Sequence, residues 1–207
     1  MNKQNCRTVY GETLLELAKK DERIVALDAD LCKSTMTCLL EKELPERYFE
    51  MGIGEQNMVS TAVGLALSGK IAFVNSFAVF SAGRPYDQIR QSAYLGDLNI
   101  KIIGSSCGIS DFGDGATHQG IEDVALMRAI PNMTVLSPAD GIETRKMVKA
   151  VVAHEGPVYI RINRNEVPDV TEKSGTGDPG NGNAVQQEAV APYQTSGVDT
   201  RNIGELG

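Results

Sequence analysis

Five short apolar runs, separated by stretches of helix length, constrain this chain more than any other feature. The runs are Ile24–Leu27, Ile71–Asn75, Ile100–Gly104, Met133–Leu136 and Val158–Ile162. A first helix carries Val9, Leu14, Leu15 and Leu17 on one stripe and closes at Lys19–Arg23. Further helices are predicted over Glu55–Leu67, from near Ala82–Pro85, over Ile121–Ala129 and over Ile142–Ala153. Strands that are apolar on both sides need cover on both sides, and parallel pairing needs a crossover between successive strands. The predicted class is therefore α/β: a mostly parallel sheet with helices on both faces. In such a sheet ligands bind beyond the carboxyl ends of the strands. The segments Asp28–Ser34, Met51–Glu55, Ser76–Arg84 and Ser105–His118 all follow predicted strands.

The chain has 207 residues, room for one ordinary domain with a substantial core, or one domain plus a tail. After Val170 the periodicity stops, and TEKSGTGDPGNGNAVQQEAV begins a glycine- and amide-rich stretch. Such a composition buries too little apolar surface to offset chain entropy, so residues 1–170 are expected to be the domain and residues 171–207 a disordered tail. Net charge is −7 with no basic cluster, which argues against nucleic-acid binding and leaves anionic metabolites to be held by local charges. Cys6, Cys32, Cys38 and Cys107 form no CxxC pair, and the chain has only two histidines, so a zinc site is not expected and the thiols read as reduced. No charged-then-apolar leader opens the sequence and no apolar run is long enough to span a membrane. The expectation is a cytoplasmic protein.

Two segments carry the chemistry. GDGATHQGIED, at Gly113–Asp123, sets Asp114 and His118 four residues apart in a glycine-bracketed turn before a helix. MGIGEQNM, at Met51–Met58, sets Glu55 at a helix start, where a glutamate is more often just a favourable charge at the positive dipole end. Between an apolar strand and an apolar helix, desolvation is expected to let it keep a proton, which suits a heterocyclic nitrogen. In VNSFAVFSAGRPYDQIR, Phe77 and Phe80 lie three apart; this spacing is commonly core, yet beside small residues in a strand-to-helix loop it makes a flat slot for a planar ring. His154, beside Gly156, reads as a helix-end surface residue.

Together these segments resemble the pyrimidine-binding domain of transketolase, over about Arg7–Pro168, and are closest to the separately encoded C-terminal subunit of split transketolases. The resemblance implies a thiamine diphosphate-binding fold. It implies that Glu55 hydrogen-bonds the aminopyrimidine ring nitrogen and assists deprotonation of the thiazolium carbon, with Phe77 and Phe80 packing on the ring and Asp30 near the cofactor and subunit interface. His118 is implied to contact the oxygens of the donor and Asp114 a donor hydroxyl. Ser34, Arg164 and, more weakly, Arg7 match residues that hold a sugar phosphate, for which a guanidinium and a hydroxyl are suitable.

The GDG triplet also invites comparison with the Mg²⁺ and diphosphate motif of thiamine enzymes, but no asparagine follows at the right distance, Asn132 coming too early. No metal is therefore expected on this chain. By resemblance, Mg²⁺ or Ca²⁺ is held by a partner, an N-terminal transketolase subunit, in a dimer of heterodimers acting on sugar phosphates in pentose phosphate metabolism. Three departures stand out: Gly83 where a third pocket aromatic is usual, Ser106 in place of a histidine, and Gly113 in place of a glutamate. The third domain that usually follows is not recognisable, and a shifted reading frame is one expected cause. Alternative readings are the beta-type subunit of a 2-oxo acid dehydrogenase, a deoxyxylulose phosphate synthase-like protein, or a non-catalytic truncated fragment.

Overall fold

The computed structural model describes residues 2–171; the expected tail, residues 172–207, lies outside the described residues. In chain order the elements are β1 (Lys3–Asn5), α1 (Cys6–Ala18), β2 (Ile24–Asp28), α2 (Cys32–Thr35), α3 (Cys38–Glu43), β3 (Tyr48–Glu50), α4 (Glu55–Leu67) and β4 (Ile71–Phe77). They continue with α5 (Ala78–Gly83), α6 (Tyr86–Gln88), β5 (Ile100–Ser105), α7 (Asp123–Arg128), β6 (Thr134–Leu136), α8 (Gly141–Ala153), β7 (Val158–Ile162) and β8 (Glu166–Pro168). A 3₁₀ turn at Pro45–Arg47 leads into β3, and a π-helical stretch at Ile89–Tyr94 follows α6.

The main sheet has six strands in the order β3-β2-β4-β5-β7-β6, every pair parallel. Alternation along its strands sorts the core into two layers. Val25, Leu27, Val74, Ile100 and Ile102 face α4, α5 and α7 through Met58, Val59, Ala62, Ala82 and Met127. On the opposite face Ile24, Ala26, Phe73, Ile103 and Ile160 meet α1, α3 and α8 through Tyr10, Leu14, Leu40, Val148 and Val151. The α/β class with helices on both faces is thus realised. Burial of that kind contributes about 1.5–3 kcal/mol per large aliphatic side chain, so the double-sided cover is the main source of stability.

Local signals fix the helix starts. Asn5 caps α1 by accepting from the Arg7 and Thr8 amides, and Asp140 caps α8 by accepting from Glu143. The predicted and observed bounds agree for α4 and β7 and within two residues for most other elements. The helix after β4 is different: it begins at Ala78, directly after the strand, rather than near Ala82–Pro85. Phe77 therefore ends a strand and Phe80 lies within α5, not in a loop. The small antiparallel pair β1–β8 closes the two ends of the domain together, a feature that three-residue strands do not announce. At the end of the described residues Asp140 accepts hydrogen bonds from the Val170 and Thr171 amides and from the Thr171 hydroxyl.

Candidate functional site

All the segments predicted to carry function emerge at the carboxyl edge of the parallel sheet. Glu55 is the first residue of α4, after Gly54, and is 3 % exposed. Phe77 and Phe80 stack with their ring centroids 6.2 Å apart, the planes 20° from parallel. The imidazole of His118 stands edgewise to both, 5.2 Å from Phe80 and 6.0 Å from Phe77. The sheet thus brings together four residues from three stretches far apart in sequence: α4, the β4–α5 junction and the loop after β5.

That last loop is held at its base. Gly108 and Gly120 form a bridge, the Gly108 amide donating to the Gly120 carbonyl at 2.8 Å. A Cβ at Gly120 would come within 2.8 Å of the Val79 backbone nitrogen, so only glycine lets the loop rest on the start of α5 and put His118 against Phe80. At the loop's tip the His118 amide donates to the Gly115 carbonyl, and Nδ1 of the ring lies 2.9 Å from the Thr117 hydroxyl.

Glu55 has a partner that sequence reasoning missed. Arg84 Nη1 donates to both carboxylate oxygens, at 2.9 and 3.1 Å, while its guanidinium carbon sits 4.3 Å from the centroid of the Phe80 ring. Glu55 was expected to be a desolvated carboxyl; in the structure Arg84 pairs with it, because α5 starts early enough to turn Arg84 back over Phe80. The two residues line an open cleft of about 520 Å³ with Ile53, Gly54, Gln56 and Asn57.

A second cluster gathers the residues matched to phosphate binding. Arg7 Nη1 donates to the Ser34 carbonyl at 2.9 Å. Burial lowers the Arg7 pKa, and the nearby Arg164 guanidinium adds repulsion in the same direction, so the two cations face a common region. Arg164 is not free, however: its Nη1 bonds Asp111 at close range and Asp114 at 3.1 Å. Asp114 is thereby held below the usual carboxylate range, by the Arg164 hydrogen bond first, whereas burial raises the Asp111 carboxyl. The sequence offered Asp111 no special standing; only the approach of the β7–β8 connection to the β5 loop reveals it.

Asp30 is exposed, adopts a left-handed backbone (φ 61°), and caps nothing; its amide donates to Glu50 instead. The organising carboxylate of that loop is Asp28, fully buried, which accepts from the Leu31 amide at 2.7 Å and from the Thr35 and Thr37 hydroxyls at 2.6 and 2.8 Å. Burial pushes Asp28 up to about 6 despite those bonds. Ser106 is buried, with its hydroxyl unpartnered, under the loop and not at a surface that a phosphate could reach.

With that geometry in view, the chain matches over residues 2–170 the family described as Transketolase, pyrimidine binding domain. It belongs to that family. It is 47 % identical over 166 residues to a Methanocaldococcus jannaschii protein described provisionally as a transketolase C-terminal section, covering 80 % of this chain and 52 % of that one. It is 44 % identical over 158 residues to the 6-deoxy-6-sulfo-D-fructose transketolase subunit SqwH of Clostridium sp. (strain MSTE9), covering 76 % and 49 %. A solved structure titled a split gene transketolase, inactive beta4 tetramer, superposes with a TM-score of 0.74 at 46 % identity, covering 87 % of this chain and 58 % of that one. The chain thus spans about half the length of these curated relatives.

Membership lets the pocket be tested against thiamine diphosphate. A near-parallel aromatic pair beside a buried carboxyl fits an aminopyrimidine, which needs a flat apolar face and, at its ring nitrogen, a hydrogen-bond donor such as a protonated carboxyl. Gly83, the departure noted above, leaves open space on that side of the pocket.

Proposed function

We propose that this chain is the pyrimidine-binding subunit of a thiamine diphosphate-dependent transketolase that moves a two-carbon ketol unit between sugars. The observation that carries the reading is the convergence of buried Glu55, the Phe77–Phe80 pair and His118 at one edge of the sheet. Bound there, the cofactor would supply the electron sink for carbon–carbon cleavage. The chain's own residues would do the rest. Glu55, as a neutral carboxyl, would donate to the ring nitrogen of the aminopyrimidine; Phe77 and Phe80 would fix the ring plane and keep water away. His118, pinned by Gly120, would donate to oxygens of the donor, and Asp114 would read a donor hydroxyl once it is shared with Arg164. Arg7, Arg164 and Ser34 would face the anionic end of the sugar.

The relative named for a sulfosugar supports an anionic end that is not restricted to phosphate. The loop anchors described above favour transketolase over a beta-type 2-oxo acid dehydrogenase subunit or a deoxyxylulose phosphate synthase. Mg²⁺ and the diphosphate would be held by an N-terminal subunit in a dimer of heterodimers, a reading supported by the split relatives. Cytoplasmic pentose phosphate metabolism goes with it. The test is calorimetry of thiamine diphosphate binding to the chain alone and to the chain mixed with a diphosphate-domain subunit. Tight binding and ketol transfer are expected only in the mixture, with weak binding by the chain alone; micromolar binding by the chain alone would sink the reading.

A further inference from the structure

The Arg84–Glu55 pair satisfies two demands at once. The guanidinium carbon sits over the Phe80 ring, and Nη1 donates to a carboxylate that is otherwise sealed from water, 3 % exposed against 47 % for Arg84. An aminopyrimidine ring would take up the same two groups, stacking on Phe80 and hydrogen-bonding Glu55, with the proton of that bond then carried by the carboxyl. We infer that Arg84 is a built-in stand-in for that ring, occupying Phe80 and Glu55 in the free chain and displaced when the cofactor arrives. The inference rests on the reading of this pocket as the aminopyrimidine site.

The physical case has three parts. A buried carboxylate left without a partner is strongly unfavourable, so a free chain with an empty Glu55 would be destabilised until its partner and cofactor assembled. Arg84 removes that cost. The contact is nevertheless exchangeable, since a single nitrogen serves both oxygens in place of the paired fork that makes arginine–carboxylate bonds strong. Departure is also unobstructed: half the side chain already meets solvent, it borders the open cleft, and neighbouring Gly83 has nothing within 4 Å of a would-be Cβ. The loss of a third aromatic at Gly83 and the presence of a mobile cation beside it become parts of one arrangement, in which the pocket wall is supplied by a side chain that can leave.

A group that holds the binding-competent pocket closed most of the time weakens ligand binding by the inverse of the fraction of time the pocket is open. The probe is the isolated ring, 4-amino-5-hydroxymethyl-2-methylpyrimidine, titrated into the full chain and followed by ligand-observed NMR. Arg84→Ala and Arg84→Met, the second keeping the apolar stem, are expected to bind it about tenfold more tightly than the natural chain, if the stand-in is in place about nine-tenths of the time. On the natural chain, the Arg84 Nε–Hε resonance is expected to move to the position of a solvent-exposed arginine as the ring saturates. This measurement does not depend on either variant folding. Equal or weaker binding by folded variants, or an Arg84 resonance unchanged while the ring is bound, overturns the inference and leaves the pocket reading standing. No binding by any form, the natural chain included, overturns both.

Discussion

Glu55 and Asp28 are both carboxylates sunk into the carboxyl edge of the same sheet, and they are satisfied in opposite ways. Asp28 is closed by three donors from its own loop, the Leu31 amide and the Thr35 and Thr37 hydroxyls. Glu55 is closed by a single, half-exposed side chain from another element. The first arrangement has no capacity left for a ligand and fixes the β2–α3 connection. The second leaves a carboxylate whose partner can be exchanged. Burial alone therefore does not mark a functional acid; the identity and mobility of its donors do.

The comparison breaks first if Glu55 proves structural. Glu55→Ala in a complex with a diphosphate-domain subunit is expected to lower kcat by about 10²–10⁴-fold, the usual scale of lost acid–base assistance. Proton exchange at the cofactor's thiazolium carbon, followed by NMR, should fall in parallel; unchanged exchange would remove Glu55 from the chemistry. Asp28→Ala is expected to act on stability instead, costing roughly 2–4 kcal/mol by removing the acceptor shared by two buried hydroxyls and an amide. Urea denaturation measures it, and a loss no larger than that of an ordinary surface substitution would mean that the loop does not depend on Asp28.

A pH series sharpens the same contrast. Asp28 rises from 3.8 to about 6 on folding, so it binds a proton more tightly in the native state. Its contribution is most favourable below 3.8 and is lost as pH climbs through about 6. The stability of the natural chain relative to Asp28→Asn should therefore improve on going from about pH 7 to about pH 4.5, by of order 1–3 kcal/mol. A difference that stays flat or runs the other way would show that the carboxyl is not held in a desolvating site.

The smallest effect is expected at the end of the domain. Truncation after Thr171 should move the melting temperature by no more than about 2 °C, since the bonds to Asp140 remain. Truncation after Asp169 removes them. Burial raises the Asp140 carboxyl, but the Glu143, Thr171 and Val170 donors prevail and hold it at about 2, so the shorter chain should lose stability at neutral pH and converge with the longer one as pH falls below 3.8. A large fall already on truncation after Thr171 would place packing contacts in residues 172–207.

Much of this was legible in the chain. Apolar runs at Ile24–Leu27, Ile100–Gly104 and Val158–Ile162 are strand-length and mostly apolar, so they located the parallel strands without help from tertiary contacts. Glu55 at the head of a capless but strongly apolar helix, and His118 in a glycine-rich loop, could be picked out because their local setting is poor for packing. Three-residue strands such as β1, β3 and β8 could not, as their pairing is set by partners far along the chain. Asp28 carried no signal of its own in the sequence; only the fold of its loop, with the Thr35 and Thr37 hydroxyls turned onto its carboxylate, shows it as the buried acid there.

Sequence by itself thus determined the layered architecture, the strand ends at which ligands must bind, and the residue types available there, because hydrophobic periodicity and glycine placement are local properties of the chain. Only the tertiary structure decided which charges meet. Arg84 is 29 residues from Glu55, and Arg164 is 53 from Asp111 and 50 from Asp114. Electrostatic partnership depends on distance in space and on exclusion of water, and neither is written in the order of residues along the chain.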